Sequence, residues 1–134
     1  MTQQEKEGML SPYRVLDLTD EKGLMCGKIM GDLGADVIKI ESPGGDPSRN
    51  IGPFWHDEPD PEKSLFWFAL NANKRGITLN IDTAAGREIF KQLVTSAHSI
   101  HQSSFLACSA SLEGNPHIST NPSAHCCLKG LSAS

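Results

Sequence analysis

The 134 residues predict an α/β fold: a partial parallel sheet with flanking helices, followed by an irregular tail. Three observations carry this. Two short apolar runs, Tyr13–Leu18 and Asp36–Ile40, are separated by a helix-length stretch that ends at Gly34. Strand, helix, strand at this spacing is a right-handed crossover unit joining parallel neighbours. An alternating segment, Ile77-Thr-Leu-Asn-Ile81, then leads into an amphipathic stretch behind Thr83.

The first strand, Tyr13–Leu18, runs into a polar turn, Thr19–Lys22. A helix follows from about Gly23 to Leu33, with Leu24, Met25, Ile29, Met30 and Leu33 on one stripe and Gly34 as its stop. The second strand is Asp36–Ile40. Glu41 to Lys63 is a long connection punctuated by Pro43, Pro47, Pro53, Pro59 and Pro61, and no regular element fits it; loops of this length in compact domains are functional or mobile. Ser64 resembles an N-cap for Leu65–Leu70, a segment too short for periodicity to assign as helix or strand. Asn71 to Gly76 is a polar turn, and Ile77–Ile81, with its period of two, is the third strand. Thr83 caps a helix from Ala84 to about Ala97 whose apolar face is Ile89, Phe90, Leu93, Val94 and Ala97. A fourth strand begins near His98, supported only by Ile100. From His101 onward Glu113 and Lys129 are the two charged residues, and no amphipathic period survives. The expected organisation is a flexible N-terminus over 1–11, one folded unit over 12–100, and a divergent tail over 101–134, disordered or read out of frame.

This length supports one domain with one core. The net charge of -4 comes without any Lys/Arg run, which argues against nucleic acid as a partner. Met1–Gly8 lacks the apolar core of a signal peptide, and no apolar run reaches the ~18 residues needed to span a bilayer. The expected protein is soluble and cytoplasmic. The four cysteines, Cys26, Cys108, Cys126 and Cys127, have no CxxC spacing and suggest no disulfide framework.

Several side chains invite a chemical reading. Asp17, at a strand end, reads as a structural acceptor for turn amides. Asp46 and Arg49 order their loop by pairing with each other. Asn71, Asn73, Lys74 and Arg75 form a donor-rich turn, and the alternative is a solvated turn whose asparagines bond backbone. Gly23 and Gly27 read either as an anion-binding helix start or as a helix-packing device. His117, His125, Cys126 and Cys127 resemble a metal cluster by composition, but their spacing fits no common site, and no metal is expected. Trp55, Phe66, Trp67 and Phe68 read as core or subunit-interface aromatics.

Arg14-Val-Leu-Asp-Leu-Thr19, Asp32-Leu-Gly-Ala-Asp-Val-Ile-Lys-Ile-Glu41, Pro43-Gly-Gly-Asp-Pro-Ser-Arg49, Asn73-Lys-Arg-Gly-Ile-Thr-Leu79 and Gly86-Arg-Glu-Ile89 occur in this order. Together they resemble the N-terminal part of a class III CoA-transferase, the CaiB/BaiF family that includes formyl-CoA:oxalate and carnitine CoA-transferases and α-methylacyl-CoA racemases. The resemblance implies a Rossmann-like large domain, coenzyme A or acyl-CoA and a carboxylic acid as substrates, and an interlocked homodimer. It implies chemistry through a nucleophilic Asp that forms an acyl intermediate. That Asp lies well beyond residue 100 in family members, and no Asp follows Asp82 here. No catalytic residue is therefore assigned, and the chain is expected to be an inactive N-terminal fragment. Coenzyme A contacts are implied at Gly23, Asn73, Lys74, Arg75 and Leu79. Departures occur at Leu24, where relatives carry proline, and at Ser42 and Asp82, where relatives often carry a cation. The alternatives are a racemase-type member, and a silent fragment that binds coenzyme A or pairs with a full-length subunit.

Overall fold

The computed structural model describes residues 8–103 and Cys127–Leu128. Its elements are β1 (Arg14–Leu18), α1 (Leu24–Asp32), β2 (Asp36–Glu41), α2 (Leu65–Asn71), β3 (Arg75–Thr78), α3 (Ala84–Ser96), β4 (Ser99–Gln102) and β5 (Cys127–Leu128). The strand order is β3-β2-β1-β4-β5; the first four are mutually parallel and β5 is antiparallel to β4. The chain thus steps outward from β1 to β3, then returns through α3 to the other side of β1. Right-handed crossovers in opposite directions place their helices on opposite faces of the sheet.

The core follows that division. Leu16, Ile38, Ile40 and Ile100 meet Phe90, Val94 and Ala97 of the α3 segment on one face. Val15, Ala35 and Val37, one residue out of phase, meet Leu10 and Met30 on the α1 face. Parallel register aligns these rows: Leu16 opposes Ile38 and Ile100, while Asp17 opposes Lys39 and His101. Strand alternation therefore gives one wholly apolar face and one that turns polar toward the C-terminal edge.

The helix ends are chemically defined. Thr83 Oγ1 accepts from Gly86 N–H at 3.0 Å and Ser64 Oγ from Trp67 N–H at 3.1 Å, so both sequence-expected caps form. The short apolar segment behind Ser64 is a helix, not a strand. At the end of α1, Gly34 takes φ of +100°, its N–H bonds Gly31 O, and Ala35 N–H bonds Met30 O. This paired closure needs a left-handed residue that glycine adopts without penalty.

Two expectations change. The strand expected over Ile77–Ile81 is Arg75–Thr78; Leu79 and Ile81 lie past its end but still pack on the apolar core. On α1, Met25 and Ile29 are each 53% exposed and Leu33 is also exposed, whereas Leu24 and Gly27 are buried. The helix packs through Leu24, Met30 and a glycine edge, and the rest of its apolar stripe faces outward. Of the aromatics, Trp67 is buried while Trp55 and Phe68 are exposed. The fourth strand extends to Gln102, and Cys127–Leu128, in the segment expected to be irregular, pairs with Ser99–Ile100. The remainder of that tail lies outside the described residues. Residues 8–11, expected in the flexible N-terminus, form a turn whose Leu10 N–H bonds Leu33 O at 2.9 Å. Among the described residues no helix is long and apolar enough to cross a membrane.

Candidate functional site

The reversal of direction between β1 and β4 is the place where open parallel sheets receive ligands, outside the carboxyl ends of the strands. A cleft of about 220 Å³ lies at that edge. One wall is Leu18 to Asp20 after β1; the floor is Lys39 to Ser42 at the end of β2; the opposite wall is Gly45 to Pro47; Ser103 comes from the end of β4. Ser103 Oγ accepts from Asp20 N–H at 2.7 Å, which ties the β4 exit to the β1 exit.

Beneath the cleft is a buried ionic network on the α1 side of the sheet. Asp17 is fully buried; its Oδ1 accepts from Thr19 N–H at 3.0 Å and Thr19 Oγ1 at 2.6 Å, and its Oδ2 faces Lys74 Nζ at 2.7 Å. The expected structural role for Asp17 is what the geometry shows. Lys39 donates to the Thr19 carbonyl and faces Asp46 Oδ2 at 2.9 Å. Glu41 receives the fork of Arg49, Nε to Oε2 at 2.7 Å and Nη2 to Oε1 at 2.9 Å, and Oε2 also accepts from Asp46 N–H. The Arg49 guanidinium lies 4.2 Å from the Trp67 ring centroid. Asp46 and Arg49 therefore do not pair with each other as the sequence suggested. Lys39 and Glu41, two apart on β2 and so on one face, each take one of them.

These contacts set the protonation states. The Arg49 fork holds Glu41 below its ordinary range against the opposing effect of burial. Burial pushes Asp46 up, but hydrogen bonds from Ser48 and Lys39 outweigh it and leave the carboxyl low. Burial lowers Lys74, with Asp17 partly restoring it. Burial also lowers His101, against the pull of Asp17.

The five residues expected at coenzyme A fall into two groups. Gly23 opens α1 and Leu79 follows β3, both at the cleft edge of the sheet, and Leu79 N–H bonds Glu41 O at 2.8 Å. Asn73, Lys74 and Arg75 instead hold the turn before β3. Asn73 Nδ2 donates to Lys28 O and to Asp32 Oδ1, Lys74 Nζ also reaches Leu24 O at 2.9 Å, and Arg75 pairs with Asp36 at 2.7 Å. Gly27 and Gly31 permit this: a Cβ on Gly27 would come within 2.4 Å of Asp17 Oδ2, and one on Gly31 within 2.7 Å of Asn73 Nδ2. The residues sequence reasoning missed are Thr19, Lys39, Glu41 and Ser103. The available signal was Lys39, a charged residue inside a buried strand run, which demands a partner. Among the described residues no cluster of His, Cys, Asp or Glu could hold a metal; His117, His125 and Cys126 and the Cys127 side chain lie outside them.

The profile of CoA-transferase family III matches residues 10–105. The chain is 44% identical over 87 residues to the succinyl-CoA:(R)-benzylsuccinate CoA-transferase subunit BbsE of Thauera aromatica, which is 65% of this chain and 21% of that protein. It is 41% identical over 91 residues to the succinyl-CoA:mesaconate CoA-transferase of Haloarcula marismortui, covering 67% of this chain and 23% of that one. A CaiB/BaiF family protein from Brucella suis superposes with a TM-score of 0.68 at 32% identity, over 79% of this chain and 29% of that chain. The chain thus spans less than a quarter of the length of these curated relatives.

Proposed function

The chain belongs to CoA-transferase family III, and we propose that its residues 12–100 form the N-terminal part of the large domain of an enzyme that moves coenzyme A between carboxylic acids. In this reading acyl transfer passes through an aspartyl acyl intermediate, which splits one difficult transfer into two easier steps. The nucleophile is not among these 134 residues. The carboxylates at the cleft support that assignment: Asp17, Glu41 and Asp46 are each engaged by Lys74, Arg49 or Lys39, and hold structure rather than attack a thioester.

The observation that carries the reading is the coincidence of the family match with the cleft at the carboxyl edge of β1 and β2. Its volume is below the ~300–1,000 Å³ of whole-ligand clefts, so it receives one portion of coenzyme A. Leu79 and Gly23 border that portion. Asn73, Lys74 and Arg75 serve it by holding β3 against α1 and β1. The parent enzyme works in the cytoplasm as an interlocked homodimer, and the 134-residue chain alone binds coenzyme A without transferring it.

Calorimetry of the purified chain with coenzyme A tests binding, and absence of heat at millimolar ligand would remove it. Incubation with an acyl-CoA and a free carboxylic acid tests transfer; turnover by this chain alone would overturn the assignment of the nucleophile to residues outside it.

A further inference from the structure

Lys39 is 2% exposed, between the buried Ile38 and Ile40 of its own strand. A buried ion pair is weak evidence for stability, because apolar side chains of similar volume hold such sites equally well or better. What an apolar side chain cannot do is grip two loops at once. The Lys39 ammonium meets the Thr19 carbonyl on the β1–α1 loop and Asp46 Oδ2 at 2.9 Å on the β2–α2 connection, with Asp17 Oδ1 at 4.0 Å. Thr19 and Asp46 stand on opposite walls of the cleft, and Lys39 is part of its floor. The Glu41–Arg49 fork ties the connection back to β2 without reaching the Thr19 side. Trp67 covers the ammonium at 6.0 Å from its ring centroid.

We propose that Lys39 is a positioning residue for the coenzyme site: one ammonium fixes the separation of the two cleft walls by holding the Thr19 carbonyl and the Asp46 carboxylate together. This rests on the reading that the cleft receives part of coenzyme A. Asp46 is suited to the task because its other oxygen, Oδ1, caps Ser48 N–H at 2.9 Å, so the grip on Lys39 extends to the whole Pro47–Asn50 turn.

The test is the pair Lys39→Met with Asp46→Asn in the full 134-residue chain, which removes both charges while leaving an acceptor for Ser48. The thermal transition should stay cooperative. Amide exchange at Thr19, Ser48 and Arg49 should accelerate, and coenzyme A affinity should fall, each on the order of tenfold, since small misplacements of positioning groups carry large costs. Unchanged exchange and affinity in the folded double variant would overturn the proposal. If the double variant does not fold, Asp46→Asn alone decides: faster exchange at Ser48 and Arg49 supports the grip, and unchanged exchange removes it. If the unaltered chain shows no heat with coenzyme A, the functional reading fails, while the exchange arm still decides what Lys39 holds.

Discussion

On the α3 side of the sheet, Leu16, Ile38, Ile40 and Ile100 meet Phe90, Val94 and Ala97 in a continuous apolar cluster. One residue along each strand, on the α1–α2 side, Asp17, Lys39, Glu41 and His101 are buried instead. The same strands supply both layers. The apolar layer draws on a non-directional force that tolerates changes of shape so long as volume is kept. The ionic layer is directional: Asp17, Lys39 and Glu41 each have a named partner, and the worth of these pairs lies in where they hold the loops. Stability and site geometry are thus divided between two faces of one sheet.

The largest effects should come from breaking each layer at its centre. Asp17→Ala leaves Lys74 buried beside no carboxylate, and loss of one partner of a buried pair costs about 3–5 kcal/mol. Adding Lys74→Met should recover much of that loss in urea denaturation. No recovery would mean that the pairing does not organise this face. Phe90→Ala should cost a similar ~3–5 kcal/mol by leaving a cavity, yet coenzyme A affinity per folded molecule should not change. A weakened affinity there would break the division of labour.

Smaller effects should separate the helix caps. Ser64 is fully buried, caps α2 and also donates to Ile51 O at 2.6 Å, whereas Thr83 caps α3 at the surface. Cap removal costs about 0.5–2 kcal/mol; Ser64→Ala should lie at the upper end and Thr83→Ala at the lower, by chemical denaturation. Equal costs would deny the ionic side its greater sensitivity.

The mildest lever is acid. His101 is held below its ordinary 6.5, so the unfolded chain takes up the proton first, and stability present above that value is lost as pH falls through the folded pKa. Glu41 and Asp46 are held below 4.5 and 3.8, so what they contribute is present above those values and lost at still lower pH. Thermal midpoints should therefore decline in two stages on acidification. His101→Gln should remove the first stage, and a profile unchanged by that substitution would assign it elsewhere.

Period and punctuation made most of the fold legible. Gly34, Ser64 and Thr83 marked their helix ends because each has a local partner within a few residues. The apolar stripe of α1 misled because hydrophobicity there competes with close approach: Gly27 and Gly31 face the β3 turn, and Met25 and Ile29 are left outward. The Asp46–Arg49 pairing misled because proximity in sequence lost to strand alternation on β2. β4 was faint because two of its buried residues, Ser99 and His101, are polar and lie on the ionic face. The cleft was harder still. Thr19 and Ser103 are 84 residues apart, and only the parallel pairing of β1 with β4 brings their loops together.

The glycine edge of α1 has a consequence for the order in which the molecule is made. Gly27 and Gly31 each cost a helix roughly 0.8–1.0 kcal/mol relative to alanine, and a nine-residue helix that carries both is unstable in isolation. What holds it reaches back from far ahead: Asn73 bonds Lys28 across 45 residues, and Lys74 bonds Leu24 across 50. A chain ending at residue 70 should show unprotected α1 amides by hydrogen exchange. Synthesis delivers the N-terminus first, so on the ribosome the first strand and helix wait, unlocked, until the Asn73–Lys74 turn has emerged.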